Sequence, residues 1–421
     1  MGVATAVPPG EPQGESERPL PLRQRKEGEA VLRYGSPPLS DTVRGAMGRR
    51  KQERARDWTS GHEPRPEGAA WEEHGGELMW VAGYTEGGAP YGLTVEEFRL
   101  ANERHAGDAG WARAKSVLKE LLELSSGPPT RAEVGRVRKI AHGLSRDIFA
   151  AEVELSPDRD HRSGPYVVLL PRPDADDQLD DRARKELRLC GRLSHLTLPF
   201  RVPAVVGLYP ESGHMALVRG FVRGIELDPR AGRQPGIPPW ETLGQIAAAV
   251  HGLDGALFED ILPGSATRRE HAQAALSVFD GLDGTEVREA RAWAEAHLPP
   301  AEPSVLVHGD LLGQNILIDP DGPLAVIDWE YARRGDPAYD LAIVTRGVRR
   351  PFQVERGLEK LLDAYHRQGG AGVTLEHVTL HELCLVAGWY RDALAGPDIY
   401  PPHQELARLR SLLRRAQGRI A

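Results

Sequence analysis

Asp310, Asn315 and Asp328 stand in two neighbouring segments of the chain, VLVHGDLLGQNILID (305–319) and LAVIDWEYARRGDPAYDLA (324–342). A carboxylate can take the proton from a hydroxyl group. An amide oxygen and a second carboxylate are hard oxygen donors of the kind Mg²⁺ accepts. Brought together, these groups supply what phosphoryl transfer from a nucleotide to a hydroxyl needs, because that chemistry rests on positioning and on neutralising phosphate charge. His308, two places before Asp310, reads as a brace for the loop rather than a reacting group. Glu330 is a further acid close to the expected metal.

Strands must hold these side chains, and the flanking sequence provides them. Val305–Val307 is an apolar run that ends at His308. Ile316–Ile318 begins directly after Asn315, and Ala325–Ile327 ends at Asp328. Each chemical group therefore falls at the end of a short buried strand, where a loop can present it.

With this spacing the two segments resemble the catalytic and metal-binding segments of the kinase-like small-molecule phosphotransferases, the aminoglycoside phosphotransferase and choline kinase family. His-Gly-Asp (308–310), Asp-Trp-Glu (328–330) and Gly-Asp-Pro-x-x-Asp-Leu-Ala (335–342) carry the likeness. The resemblance implies a two-lobed, protein-kinase-like α+β fold, with a small antiparallel-sheet N-lobe and a mostly helical C-lobe. It implies Asp310 as catalytic base, Asn315 and Asp328 as Mg²⁺ ligands, and Asp340 as an anchor for the segment after Asp328. ATP or GTP is the implied phosphate donor, and the acceptor is a hydroxyl on a small molecule.

Upstream, the residues of the expected N-lobe fit more loosely. Val134–Ile140, Phe149–Leu155 and Tyr166–Leu170 read as strands, and Gln178–Leu193 as a helix. Gly143 and Ser145 lie in the turn AHGLSRD (141–147). In the resembled family this turn folds over the phosphates, with backbone N–H groups reaching the anion. Glu186 on the helix would pair with a cation from the third strand. That strand reads YVVLLPRP (166–173) and has Leu169 or Leu170 where the basic residue is expected. Arg172 is the expected substitute, with Arg146 and Lys139 as the other nearby cations. Strands are expected near Ala204–Leu208 and Met215–Val222. The second corresponds to the hinge, where Phe221 either packs on the adenine ring or belongs to the core. Helices are expected over Thr242–Leu253, Ala272–Phe279, Val287–His297, Val354–Tyr365, Leu375–Leu394 and Gln404–Ala416.

Residues 1–75, rich in Pro, Gly, Arg and Glu, are expected to be a disordered tail. Residues 76–128 read as a helical extension. Thr94 and Glu97 make a capping box for one helix, and Trp111, Ala114, Leu118, Leu121 and Leu122 mark the apolar face of a second. The N-lobe is expected over 129–222 and the C-lobe over 223–421. A net charge of −8 argues against a nucleic-acid partner. No run is long and apolar enough for a membrane span, and with only Cys190 and Cys384 no disulfide framework exists. A cytoplasmic monomer or weak homodimer is the resulting expectation. The absent third-strand cation keeps a second expectation alive, a pseudoenzyme that binds nucleotide or metabolite without turnover.

Overall fold

The computed structural model describes residues 110–419 apart from 143–145, 159, 174, 231–235, 320–321, 371 and 397–400, and the backbone of 71–74, 77–84 and 90–94. The tail read as disordered over 1–75 lies almost wholly outside the described residues, as does the helix expected after Thr94.

The extension expected to be helical opens on strands instead. β1 (Trp71–His74), β2 (Glu77–Tyr84) and β3 (Pro90–Thr94) form a three-stranded antiparallel sheet in that order. ELMWVAGY is short and carries Trp, Val and Tyr, and Gly87-Gly88 follow it in the sequence, which favours a hairpin over a helix. The second expected helix is α1 (Gly110–Ser126), with Ala114, Val117, Leu118, Leu121 and Leu122 buried along one stripe.

The N-lobe is a six-stranded antiparallel sheet. β4 (Arg131–Val134), β5 (Arg138–His142), β6 (Arg146–Ser156), β7 (Gly164–Pro171), β8 (Val205–Glu211) and β9 (His214–Gly220) contribute to it. The order is β4-β6-β7-β9-β8, with β5 also paired to β6. The single strand expected over Val134–Ile140 is thus two. The break falls at Gly135, whose N–H donates to the Glu152 carbonyl at 2.8 Å. A Cβ at Gly135 would lie 3.2 Å from that oxygen.

The sheet's two faces do different work. On one, Phe149, Ala151, Val153, Val168, Leu170, Ala216 and Val218 pack against the apolar stripe of α1. That helix completes the N-lobe core, each fully buried Leu contributing about 1.5–3 kcal/mol. On the other face, Ala150, Val167, Leu169 and Leu217 form a second cluster, edged by Ile148 and Phe221. The two-residue period of the strands puts Arg146 and Arg219 on this second face. Helix α2 (Leu179–Leu193) buries Leu179, Ala183, Glu186, Leu189, Cys190 and Leu193. An acid therefore stands within its buried stripe.

The remainder is mostly helical. It holds α3 (Pro239–His251), α4 (Arg268–Ala275), α5 (Thr285–Ala296), α6 (Ala338–Thr345), α7 (Gly357–Arg367), α8 (Leu375–Ala395) and α9 (Pro402–Ala416). Two small sheets carry the loops of interest. One joins β10 (Ile225–Glu226), β12 (Ile316–Ile318) and β13 (Ala325–Val326), and the other pairs β11 (Val305–Val307) with β14 (Arg333–Gly335). This is the two-lobed α+β architecture expected from the motifs.

Candidate active site

β11 delivers the chain into His308-Gly309-Asp310, and a tight turn returns it to β12 at Ile316. Asp310 is thereby held beside Asn315. The Asn315 Nδ2 donates both to the Asp310 carbonyl (2.8 Å) and to Asp310 Oδ2 (3.0 Å). One carboxylate oxygen, Oδ2, is fixed in this way. The same bonds commit the amide nitrogen to Asp310, so the remaining polar atom of Asn315 is Oδ1, an acceptor suited to a hard cation.

His308 is buried and braces the turn. Its Nδ1 accepts from the Asp310 N–H (3.2 Å), which leaves Nε2–H to donate to the Ile327 carbonyl (3.1 Å). Its ring also packs on Trp329, 4.5 Å between centroids. Burial lowers its pKa, so the imidazole is neutral and its two nitrogens can play opposite roles. Gly309 sits at φ +86°, and a Cβ there would fall 2.2 Å from the Tyr331 carbonyl oxygen. No side chain fits between the two segments at this point.

Asp340, in the first turn of α6, is fully buried. Its carboxylate accepts from the N–H groups of His308 (2.8 Å) and Gly309 (2.9 Å) and bonds His251 Nε2 (3.1 Å). Burial opposes its ionisation, but the His251 contact and the other donors outweigh it and hold the carboxyl below its ordinary range. His251 in turn bonds the Tyr365 hydroxyl through Nδ1 (3.2 Å). Four residues earlier, Asp336 accepts from Arg268 Nε (2.8 Å) and bonds His381 Nε2 (2.9 Å). One short segment thus ties the catalytic turn to the helical body.

Asp328 stands two residues past the end of β13, in the left-handed region, φ 68° and ψ 58°. Burial raises its pKa, and the nearby carboxylates of Glu186 and Asp310 raise it further. Glu330 is pushed up to about 7, again by burial first and by Asp328 second. Acids this close resist ionising together unless a cation stands among them. Asp328 and the Asn315 Oδ1 are hard oxygen donors, the kind that fits Mg²⁺.

The cations of the cleft are arranged differently from expectation. Glu186 pairs with Arg219 of β9, Nη1 to Oε1 at 3.1 Å, with both side chains buried. The expected partner, Arg172, lies just past the end of β7 at Pro171. It is half-buried, and its carbonyl accepts from the Ala175 N–H at 3.1 Å. The positive charges acting on Glu186 are those of Arg219, Arg146 and Lys185. The strand period aims 167, 169 and 171 of β7 at the cleft, and Arg172 lies beyond the strand's last residue. Arg219 escaped sequence reasoning because its only signal is a charged residue in an apolar strand, β9, which lies between β7 and β8. Arg182 Nε meets Glu330 Oε2 at 3.3 Å. Phe221 borders the apolar cluster of the cleft face and donates its N–H to Pro165 O at 2.9 Å. Gly143 and Ser145 lie outside the described residues.

Comparison with known proteins places this geometry in context. The model of the phosphotransferase enzyme family matches residues 136–377, more than half of the chain. A homoserine kinase of Methylobacterium radiotolerans is 32% identical over 151 residues, covering 34% of this chain and 45% of the relative. The chain thus matches under half the length of that enzyme. A solved aminoglycoside phosphotransferase, a thermostable mutant in its apo form, superposes with a TM-score of 0.50 at 16% identity, covering 71% of this chain and 99% of that one. The macrolide 2'-phosphotransferase of Brachybacterium faecium gives a TM-score of 0.49 at 22% identity, over 70% and 98%. At 16% identity the likeness to the aminoglycoside phosphotransferase shows the fold alone. No helix among the described residues is long and apolar enough to cross a membrane.

Proposed function

The chain belongs to the phosphotransferase enzyme family, and on that premise we propose that it moves the γ-phosphoryl group of ATP or GTP to a hydroxyl of a small molecule. One observation carries the reading: the Asp310 carboxylate, oriented by Asn315, stands near Asp328, whose raised pKa marks a place that calls for a cation. Asp310 accepts the hydroxyl proton on Oδ1 as the acceptor oxygen bonds to phosphorus. The bond from phosphorus to the bridging oxygen breaks, and the nucleoside diphosphate leaves. Burial raises the pKa of Asp310, and this helps a carboxylate act as base near neutral pH. Asn315 and Asp328 would hold Mg²⁺, which when bound supplies positive charge to the phosphate oxygens. His308 and Asp340 hold the turn that aims Asp310.

The acceptor is a hydroxylated metabolite or antibiotic. The homoserine kinase relative puts amino-acid hydroxyls beside aminoglycosides, macrolides, amino alcohols and sugars in the screen. Asp310→Asn should lower kcat on the identified acceptor roughly 10²–10⁴-fold and leave nucleotide affinity nearly unchanged. Near-normal turnover by the variant would remove Asp310 from its role. A second reading, a pseudoenzyme that binds nucleotide without transfer, draws on Val167 and Leu169 where the cleft face of β7 would carry a cation. Wild-type protein that binds Mg-nucleotide yet transfers phosphate to none of these acceptor classes would favour it.

A further inference from the structure

Arg146 opens β6 and faces the same cleft as Asp328 and Glu186, yet none of the contacts above uses it fully. Its residue is 6% exposed. Nη2 donates to the Leu179 carbonyl at 3.2 Å, at the start of α2. Nη1 is buried and has no acceptor among the described residues. A buried guanidinium nitrogen with no acceptor is costly, and native proteins keep few such groups without a reason. The nearby acids are otherwise engaged. Glu186 binds Arg219 and Glu330 binds Arg182, while Asp328 is reserved for the metal.

Position adds to this. Arg146 stands opposite Pro171, the last residue of β7, in the antiparallel register. The other cleft-facing positions of β7 are Val167 and Leu169, which carry no charge. Of the two buried strand-borne arginines on this face among the described residues, Arg219 is committed to Glu186. What Arg146 lacks is an oxygen acceptor of negative charge, close to a site that binds Mg²⁺ with phosphate. A phosphate group presents several such oxygens, and guanidinium is well matched to them.

We propose that Arg146 is the phosphate-binding cation of the cleft, with Nη1 donating to a non-bridging oxygen of the donor nucleotide while Nη2 stays on the Leu179 carbonyl. The cation would thus come from the strand after the hairpin rather than from the third strand. This rests on the nucleotide-dependent reading above, and the test separates the two. Mg-ATP, Mg-GTP and adenosine are titrated by calorimetry into wild-type full-length protein and into Arg146→Ala and Arg146→Lys. Loss of a charge-assisted contact should raise the Mg-nucleotide Kd at least about tenfold for Arg146→Ala. Arg146→Lys should fall between, since ammonium keeps the charge without the fork. Adenosine, which has no phosphate, should bind the variants and the wild type alike. A purely structural role would instead weaken nucleotide and nucleoside together, and that result overturns the proposal. So does unchanged Mg-nucleotide affinity in Arg146→Ala. Should Arg146→Ala fail to fold, Arg146→Gln keeps a donor for the Leu179 carbonyl and is expected to show the same phosphate-dependent loss. Wild-type protein that binds neither Mg-nucleotide would overturn the functional reading itself.

Discussion

Gly309 shows how one residue sets the shape of the catalytic turn. Its φ of +86° is open to glycine and strained for other residues, and the Tyr331 carbonyl occupies the space a Cβ would need at 2.2 Å. Gly309→Ala must therefore push the His308–Asp310 turn away from the segment that follows Asp328. We expect a loss of about 2–3 kcal/mol in stability, the range for a residue forced into a special backbone conformation. Turnover should fall with it, because Asp310 moves with the turn. Equal melting temperatures for variant and wild type would show that the two segments can separate freely.

At the scale of elements, the Glu186–Arg219 pair joins α2 to β9. Both side chains are buried, so removing one partner strands the other. Arg219→Leu should cost about 3–5 kcal/mol, whereas Arg219→Leu with Glu186→Leu should recover much of that loss. A double-mutant cycle in urea that gives no coupling energy would contradict the pairing. This pair also marks where sequence reading ended. The acids and amide of the site were legible because each lies within a few residues of its neighbours, at the end of a recognisable strand. Amphipathic helices such as α1 and α2 showed their apolar stripes. Arg219 and Glu186 are 33 residues apart, and their meeting depends on the sheet's register. Helix α6 was missed for a different reason. Seven of its eight residues are buried, so it has no polar face and no 3.6-residue alternation to detect. The break between β4 and β5 turns on a backbone contact at Gly135 that no pattern announces.

For the molecule as a whole, α6 and its buried neighbours make stability depend on pH. His271 is fully buried beside His381, and its Nδ1 accepts from the Asp336 N–H at 3.2 Å. Burial first, and the His381 charge second, push its pKa down to about 3. In the unfolded chain the same imidazole takes up a proton near pH 6.5. Between those values the unfolded state binds the extra proton, so this group's contribution favours folding less as pH falls. The stability advantage of wild type over His271→Gln should accordingly shrink from pH 7 to pH 5, as measured by urea unfolding. Comparing the two proteins cancels the opposite effect of Asp328 and Glu330, whose pKa values are raised. An advantage that stays constant across that interval would mean His271 is protonated in the folded state.

The left-handed backbone at Asp328 has a consequence for how the fold tolerates its own chemistry. A residue with a Cβ held there stores about 1 kcal/mol of strain. Burial and the carboxylates of Glu186 and Asp310 raise the pKa of its carboxyl, so ionising it is costly. Glycine at 328 would relax both. Asp328→Gly is expected to melt at a higher temperature than wild type without ligand, and to lose the Mg²⁺-dependent part of its nucleotide affinity. If the variant melts lower, the acid is a structural tie. If it melts higher, the fold keeps an acid at this position at a cost to its own stability, which is what a residue retained for binding rather than for folding would show.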